Sequence, residues 1–83
     1  MKDYMVSVYY TGLHIGIEIK NELEKQERTI SWFSRKLYCD RSNVYDIFKR
    51  QSIDTELLLR ISIILGRNFF LLYENEYVHR TQE

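Results

Sequence analysis

Residues 29–50 read Thr-Ile-Ser-Trp-Phe-Ser-Arg-Lys-Leu-Tyr-Cys-Asp-Arg-Ser-Asn-Val-Tyr-Asp-Ile-Phe-Lys-Arg, and the reading of this stretch decides the fold. Ile30, Phe33 and Leu37 fall on one face of a short helix, and Val44, Ile47 and Phe48 on one face of a second. Tyr38-Cys39-Asp40 between them leaves room only for a sharp bend, which predicts a helix-turn-helix. The second helix has an apolar inner side. Arg41, Ser42, Asn43, Tyr45 and Asp46 stand at its start and on its outer side, carrying donors and acceptors of the kind that read base edges. Lys49 and Arg50 follow where a phosphate could be met. These residue types in this order imply a surface for duplex DNA.

Working outward, Thr29 is placed to cap the first helix of this pair, and Asp40 to cap the second through its carboxylate. Upstream, Ile15, Ile19 and Leu23 recur every four residues and predict a helix from about Ile15 to Lys25, with a solvated, Glu-rich outer side. Downstream, Asp54 predicts another cap, and Ile53 with Leu58 fits a hydrophobic staple. Leu57, Leu58, Ile61, Ile64 and Leu65 predict a helix over Thr55–Leu65, closed by Gly66. Leu59 and Ile63 lie to one side of its apolar stripe. With Phe69, Phe70 and Tyr73 they exceed what one small bundle can bury, and they are the expected seam of a homodimer. The uncharged, strand-forming run Tyr4–Tyr10 reads as an arm or a short strand.

Composition sets the bounds. Eighty-three residues make one domain with one modest core. Apolar residues form 45% and charged residues 29%, a globular balance, and with no proline and three glycines little interrupts a helical chain. Twelve basic and twelve acidic residues cancel, which disfavours a protein that coats nucleic acid by charge alone. The charges are nevertheless unevenly placed. Residues 35–50 hold Arg35, Lys36, Arg41, Lys49 and Arg50 against Asp40 and Asp46, whereas 18–28 lean acidic. Cys39 is the sole cysteine, so no internal disulfide forms, and its place in the turn predicts packing and not metal binding. His14 and His79 lie far apart and read as surface residues. Neither a signal peptide nor a membrane span is predicted, and a cytoplasmic location is expected. No catalytic constellation, cofactor loop or metal-ligand cluster is recognisable, so an enzyme is not expected.

The order of these elements resembles the phage-repressor and Cro type, or Xre type, of bacterial helix-turn-helix transcription regulators. The resemblance is carried by Ile15-Gly16, Phe33-Ser34, Tyr38-Cys39, the run Arg41 to Ile47, and Leu65-Gly66 through Phe69-Phe70. It departs at Tyr38, where the family has glycine in the turn, and at Ser34, where it has alanine. The resemblance implies an all-α, phage-repressor-like bundle of four to five short helices. Residues 1–14 would be the arm or strand, 15–73 the helix-turn-helix domain and 74–83 a C-terminal tail. It implies Arg41, Ser42, Asn43 and Asp46, with Tyr45 beside them, as base-reading residues. Thr29, Lys36, Lys49 and Arg50 would meet phosphates. A homodimer bound to double-stranded DNA would regulate transcription, with no cofactor. The rival expectation is a protein-interaction module or antitoxin-like subunit that kept the fold but binds DNA weakly or not at all.

Overall fold

The computed structural model describes residues 12–82. The candidate strand at Tyr4–Tyr10 lies outside them. The described chain forms five helices: α1 (Ile15–Lys25), α2 (Ile30–Leu37), α3 (Arg41–Lys49), α4 (Thr55–Leu65) and α5 (Phe70–Thr81). Among the described residues there is no strand, and no helix is long and apolar enough to cross a membrane.

One core joins all the helices. α1 contributes Ile15, Ile19 and Leu23, α2 contributes Phe33 and Leu37, and α3 contributes Val44 and Ile47. Leu58, Ile61 and Leu65 of α4 close it, together with Phe69 from the joint before α5. Burying side chains of this size is worth roughly 1.5–3 kcal/mol each, and that term holds the short helices together.

Side chains cap the starts of α1, α2 and α4, while those of α3 and α5 have no side-chain cap. The Thr29 hydroxyl accepts from the Trp32 N–H at 3.0 Å, and the Asp54 carboxylate accepts from the Leu57 N–H at 2.7 Å. Asp40 occupies the cap position of α3, but its side chain makes no capping hydrogen bond. Its backbone carbonyl accepts from Asn43 and Val44 instead, so the expected carboxylate cap is corrected to a main-chain one. His14, expected as a plain surface residue, caps α1. Its Nδ1 accepts from the Ile17 N–H at 3.1 Å.

The helix ends share one device. α1, α2 and α4 each close on a residue in the left-handed region: Glu27 (φ 58°), Tyr38 (φ 57°) and Gly66 (φ 66°). In each case the following N–H reaches back to a carbonyl of the last turn: Arg28 to Leu23, Cys39 to Ser34 and Arg67 to Ser62. Only the third of these ends uses the glycine that such a bend prefers.

Downstream of α4 the structure differs from expectation. Residues 74–83, expected as a tail, continue α5 as far as Thr81. No glycine or proline follows Gly66, and Arg80 binds Glu76 at 2.9 Å across one helical turn. Phe69, expected at the dimer seam, is fully buried in the monomer, because the chain turns back at Gly66 and drives it inward. Its N–H donates to the buried Ser62 hydroxyl at 3.3 Å.

The Glu-rich side of α1 is also more than a solvated face. Gln26 Nε2 donates to Glu22 at 2.8 Å and to the Leu65 carbonyl at 2.7 Å. Arg67 approaches Glu22 at 3.1 Å and Glu18 at 3.9 Å. This network ties the end of α1 to the joint between α4 and α5. The hydrogen bond from Gln26, opposed by burial and assisted by Arg67, lowers the Glu22 pKa from its ordinary value. A carboxylate so shifted stabilises the fold above its unfolded pKa, and the contribution is lost as pH falls through the folded one. Urea unfolding should therefore show wild type more stable than Glu22→Gln at neutral pH. The two should converge as the pH drops below the ordinary glutamate range, roughly pH 4–5.

Gly16 has a stricter role. A Cβ there would lie 2.4 Å from the carbonyl oxygens of both Ile47 and Phe48, which are backbone atoms and cannot swing aside. Gly16→Ala should cost about 3 kcal/mol of unfolding free energy, far beyond the slight helix-propensity gain of alanine. An unchanged urea midpoint would contradict this packing.

Candidate nucleic-acid interface

α3 is held at both ends. At its C-terminal end the first N–H groups of α1, which have no partner within their own helix, donate outward: Ile15 to the Gln51 carbonyl at 3.0 Å and Gly16 to that of Arg50 at 2.9 Å. At its N-terminal end the turn from α2 is pinned from outside, where Arg60 Nη2 donates to the Leu37 carbonyl at 2.9 Å. Between these ends Val44 and Ile47 are buried and Phe48 is half-buried. Arg41, Ser42, Asn43, Tyr45, Asp46, Lys49 and Arg50 are all exposed.

At 3.6 residues per turn, the side opposite Val44 and Ile47 is occupied by Ser42, Asp46 and Lys49. Arg41 and Tyr45 lie on one flank of that line, with Asn43 and Arg50 on the other. The Tyr45 ring stands edge-on to Phe48, with centroids 6.2 Å apart, which limits its motion. The cations Arg41, Lys49 and Arg50 form no ion pair with any described residue, and neither does Asp46.

A hollow borders each flank. Tyr45, Phe48 and Lys49 face Ile17, Lys20, Arg28, Thr29 and Ile30 across a groove of about 600 Å³ between α3, α1 and the start of α2. Asn43, Asp46 and Arg50 face Leu57 and Arg60 across a smaller cleft of about 290 Å³ that also touches Cys39. The structure thus brings Thr29 to the same groove as Tyr45 and Lys49. The Thr29 hydroxyl is already engaged as the α2 cap. Lys36 borders neither hollow and lies 5.8 Å from the centre of the Trp32 ring.

Cys39 is free and half-buried against the core. Burial, and secondarily Asp40, pushes its thiol pKa up, which favours the neutral thiol over the thiolate. Among the described residues no group of histidine, cysteine and carboxylate side chains is arranged to hold a metal ion.

Three residues of this region escape the sequence reading. Arg28 stacks on Trp32 at 4.3 Å and borders the larger groove with Lys20. The spacing Arg28, Trp32, Lys36, four residues apart each time, is the signal that marks two cations around an aromatic ring at the start of α2. Arg60 stands alone among apolar neighbours in α4, and that isolation is the only sequence sign of its hold on the turn.

Compared with known proteins, the chain matches no protein family, no curated protein and no solved structure.

Tyr38 supplies a local test of the turn. Its side chain is 91% exposed, so it contributes little packing, while its left-handed backbone costs about 1 kcal/mol in a residue with a Cβ. Tyr38→Gly should raise thermal stability by roughly 0.5–1 kcal/mol, the relief of strain exceeding the added freedom of the unfolded chain. A loss of stability would mean that the tyrosine ring holds the turn in place.

Proposed function

We propose that the chain is a sequence-specific reader of double-stranded DNA, acting as a transcriptional regulator of the phage-repressor type. The observation that carries this reading is α3 itself. Its inner face is fixed by core packing and by contacts at both ends, while seven consecutive-turn side chains of base-reading and phosphate-binding chemistry stand exposed without ion-pair partners. Rigid presentation of such side chains is what insertion into a major groove requires.

In this reading Ser42 and Asp46 point furthest into the groove, and Lys49, at the far end of the same line, reaches a phosphate. Arg41 can take both acceptors of guanine, and Asn43 both positions of adenine, each worth about 1–3 kcal/mol of discrimination. Asp46 selects by exclusion as much as by contact, since it accepts from cytosine N4 and repels phosphate. Arg50, with the amides at the start of α2, binds the backbone. Thr29 and Lys36 serve that role at the edges.

Two copies would place their α3 helices in successive major grooves, about 34 Å apart. Leu59 and Ile63 of α4 are exposed, Ile63 by 71%, and Phe70 and Tyr73 of α5 are half-buried, so these four form the proposed seam. Bacterial cytoplasm is the setting that fits. Two observations favour a second reading, a protein-interaction module: Asp46 occupies the outward line of α3, and the chain has no net charge.

Fluorescence anisotropy with duplexes selected from a random pool, and with scrambled ones, separates the roles. Arg41→Ala and Asn43→Ala should lose about tenfold or more on selected duplexes and little on scrambled ones. Lys49→Ala should weaken both alike and reduce the salt slope by about one. Equal losses on both kinds of duplex for all three variants would contradict the assignment. Absence of binding at low salt would favour the interaction module.

A further inference from the structure

The groove between α1 and α3 has more apolar surface than a phosphate track needs. Ile17 and Tyr45 on its walls are about half exposed, with Phe48 at the base and the cations Lys20, Arg28 and Lys49 on the rim. Glu24 is the acid among its lining residues. Lys20 and Lys49 form no ion pair with any described residue. A small ligand laid in so open a trough would keep much of its surface in water, whereas a helix would cover it from lip to lip.

Away from the groove lining, the last helix is of the complementary kind. α5 has no fully buried residue, and Leu71, Tyr77 and Val78 are exposed on it. Leu71, Glu74 and Val78 recur at helical spacing and share its outward side, away from the half-buried Leu72 and Tyr73. Glu74 has no ion-pair partner among the described residues, while the nearby cation Arg80 is held by Glu76. One chain therefore holds an apolar trough with a basic rim and an apolar helix face with an acid, neither covered by the described residues.

We propose that α5 of a second copy docks in the α1–α3 groove, with Leu71 and Val78 against Ile17 and Tyr45 and with Glu74 toward Lys20 and Lys49. The contact joins two different surfaces, so it is head-to-tail and propagates into chains unless rotation closes a ring. It uses other residues than the seam at Leu59, Ile63, Phe70 and Tyr73, although both contacts draw on α5. Its regulatory consequence rests on the DNA reading above. Tyr45 and Lys49 serve both partners, so self-docked molecules have a masked α3 and duplex DNA dissolves the assembly.

Sedimentation velocity of the full chain without DNA tests the contact apart from the DNA reading. At low salt, wild type should grow past the mass of a dimer as concentration rises, and this growth should shrink at high salt. The double variant Lys20→Glu/Lys49→Glu and the single variant Glu74→Lys should each stop at a dimer or below. An equimolar mixture of the two should regain larger species, because the reversed groove then meets the reversed helix. All three positions are exposed, so circular dichroism should show unchanged helix content. Wild type that never passes a dimer would overturn the proposal. So would growth that both variants leave intact, or a mixture that fails to recover.

Discussion

The close approach of α1 to the end of α3 is the constraint on which the rest of the structure depends. Gly16 allows two backbones to meet where any side chain would hold them apart, since even one carbon would strike the carbonyls of Ile47 and Phe48. That approach lets the unpaired N–H groups of Ile15 and Gly16 find the carbonyls of Gln51 and Arg50. Each helix thus satisfies the other's free polar groups, and the start of one becomes the stop of the other. Buried Ile15, Ile19, Val44 and Ile47 then pack in the space so defined. α3 is left with a set angle and a polar side facing outward, and the reading of that side as a DNA surface is the proposal built upon it.

Electrostatics refine that reading more than the net charge does. The chain is neutral overall, yet its charges are unevenly engaged. Glu22 is drawn into a network with Gln26 and Arg67, and Glu76 is held by Arg80. The cations of α3 form no ion pair with the described residues. Arg28 and Lys36 flank Trp32 on α2. Asp46 remains as the anion on the outward line, and it makes any polyanion partner conditional on the groups it meets there.

Much of this was legible in the chain itself, for a physical reason. Helix spans depend on local periodicity and on caps only a few residues away, so Thr29, Asp54 and Gly66 marked their boundaries correctly. Local spacing also placed the seven side chains of α3 on its open side. Contacts between distant residues left no such trace. Arg60 reaches a carbonyl 23 positions back, and Arg67 reaches a carboxylate 45 positions back. Phe69 looked like surplus surface because nothing local shows that the chain reverses at Gly66. The reach of α5 beyond Tyr73 was hidden by mixed polar and apolar residues with no single stripe. Tyr38 shows the converse case: the bend that the hydrogen bonds of Ser34 and Arg35 demand overrides the residue's own preference.

The central claim is that the outer side of α3 meets the edges of base pairs. A titration followed by backbone amide NMR, using a duplex enriched from a random pool, tests it most directly. The account predicts that the largest shifts fall on residues 41–50, with smaller ones at Lys20, Arg28 and Thr29, and that α5 responds only on its outward face, where a docked copy is released. Shifts confined to α4 and α5, or a pool from which no sequence is enriched, would contradict it.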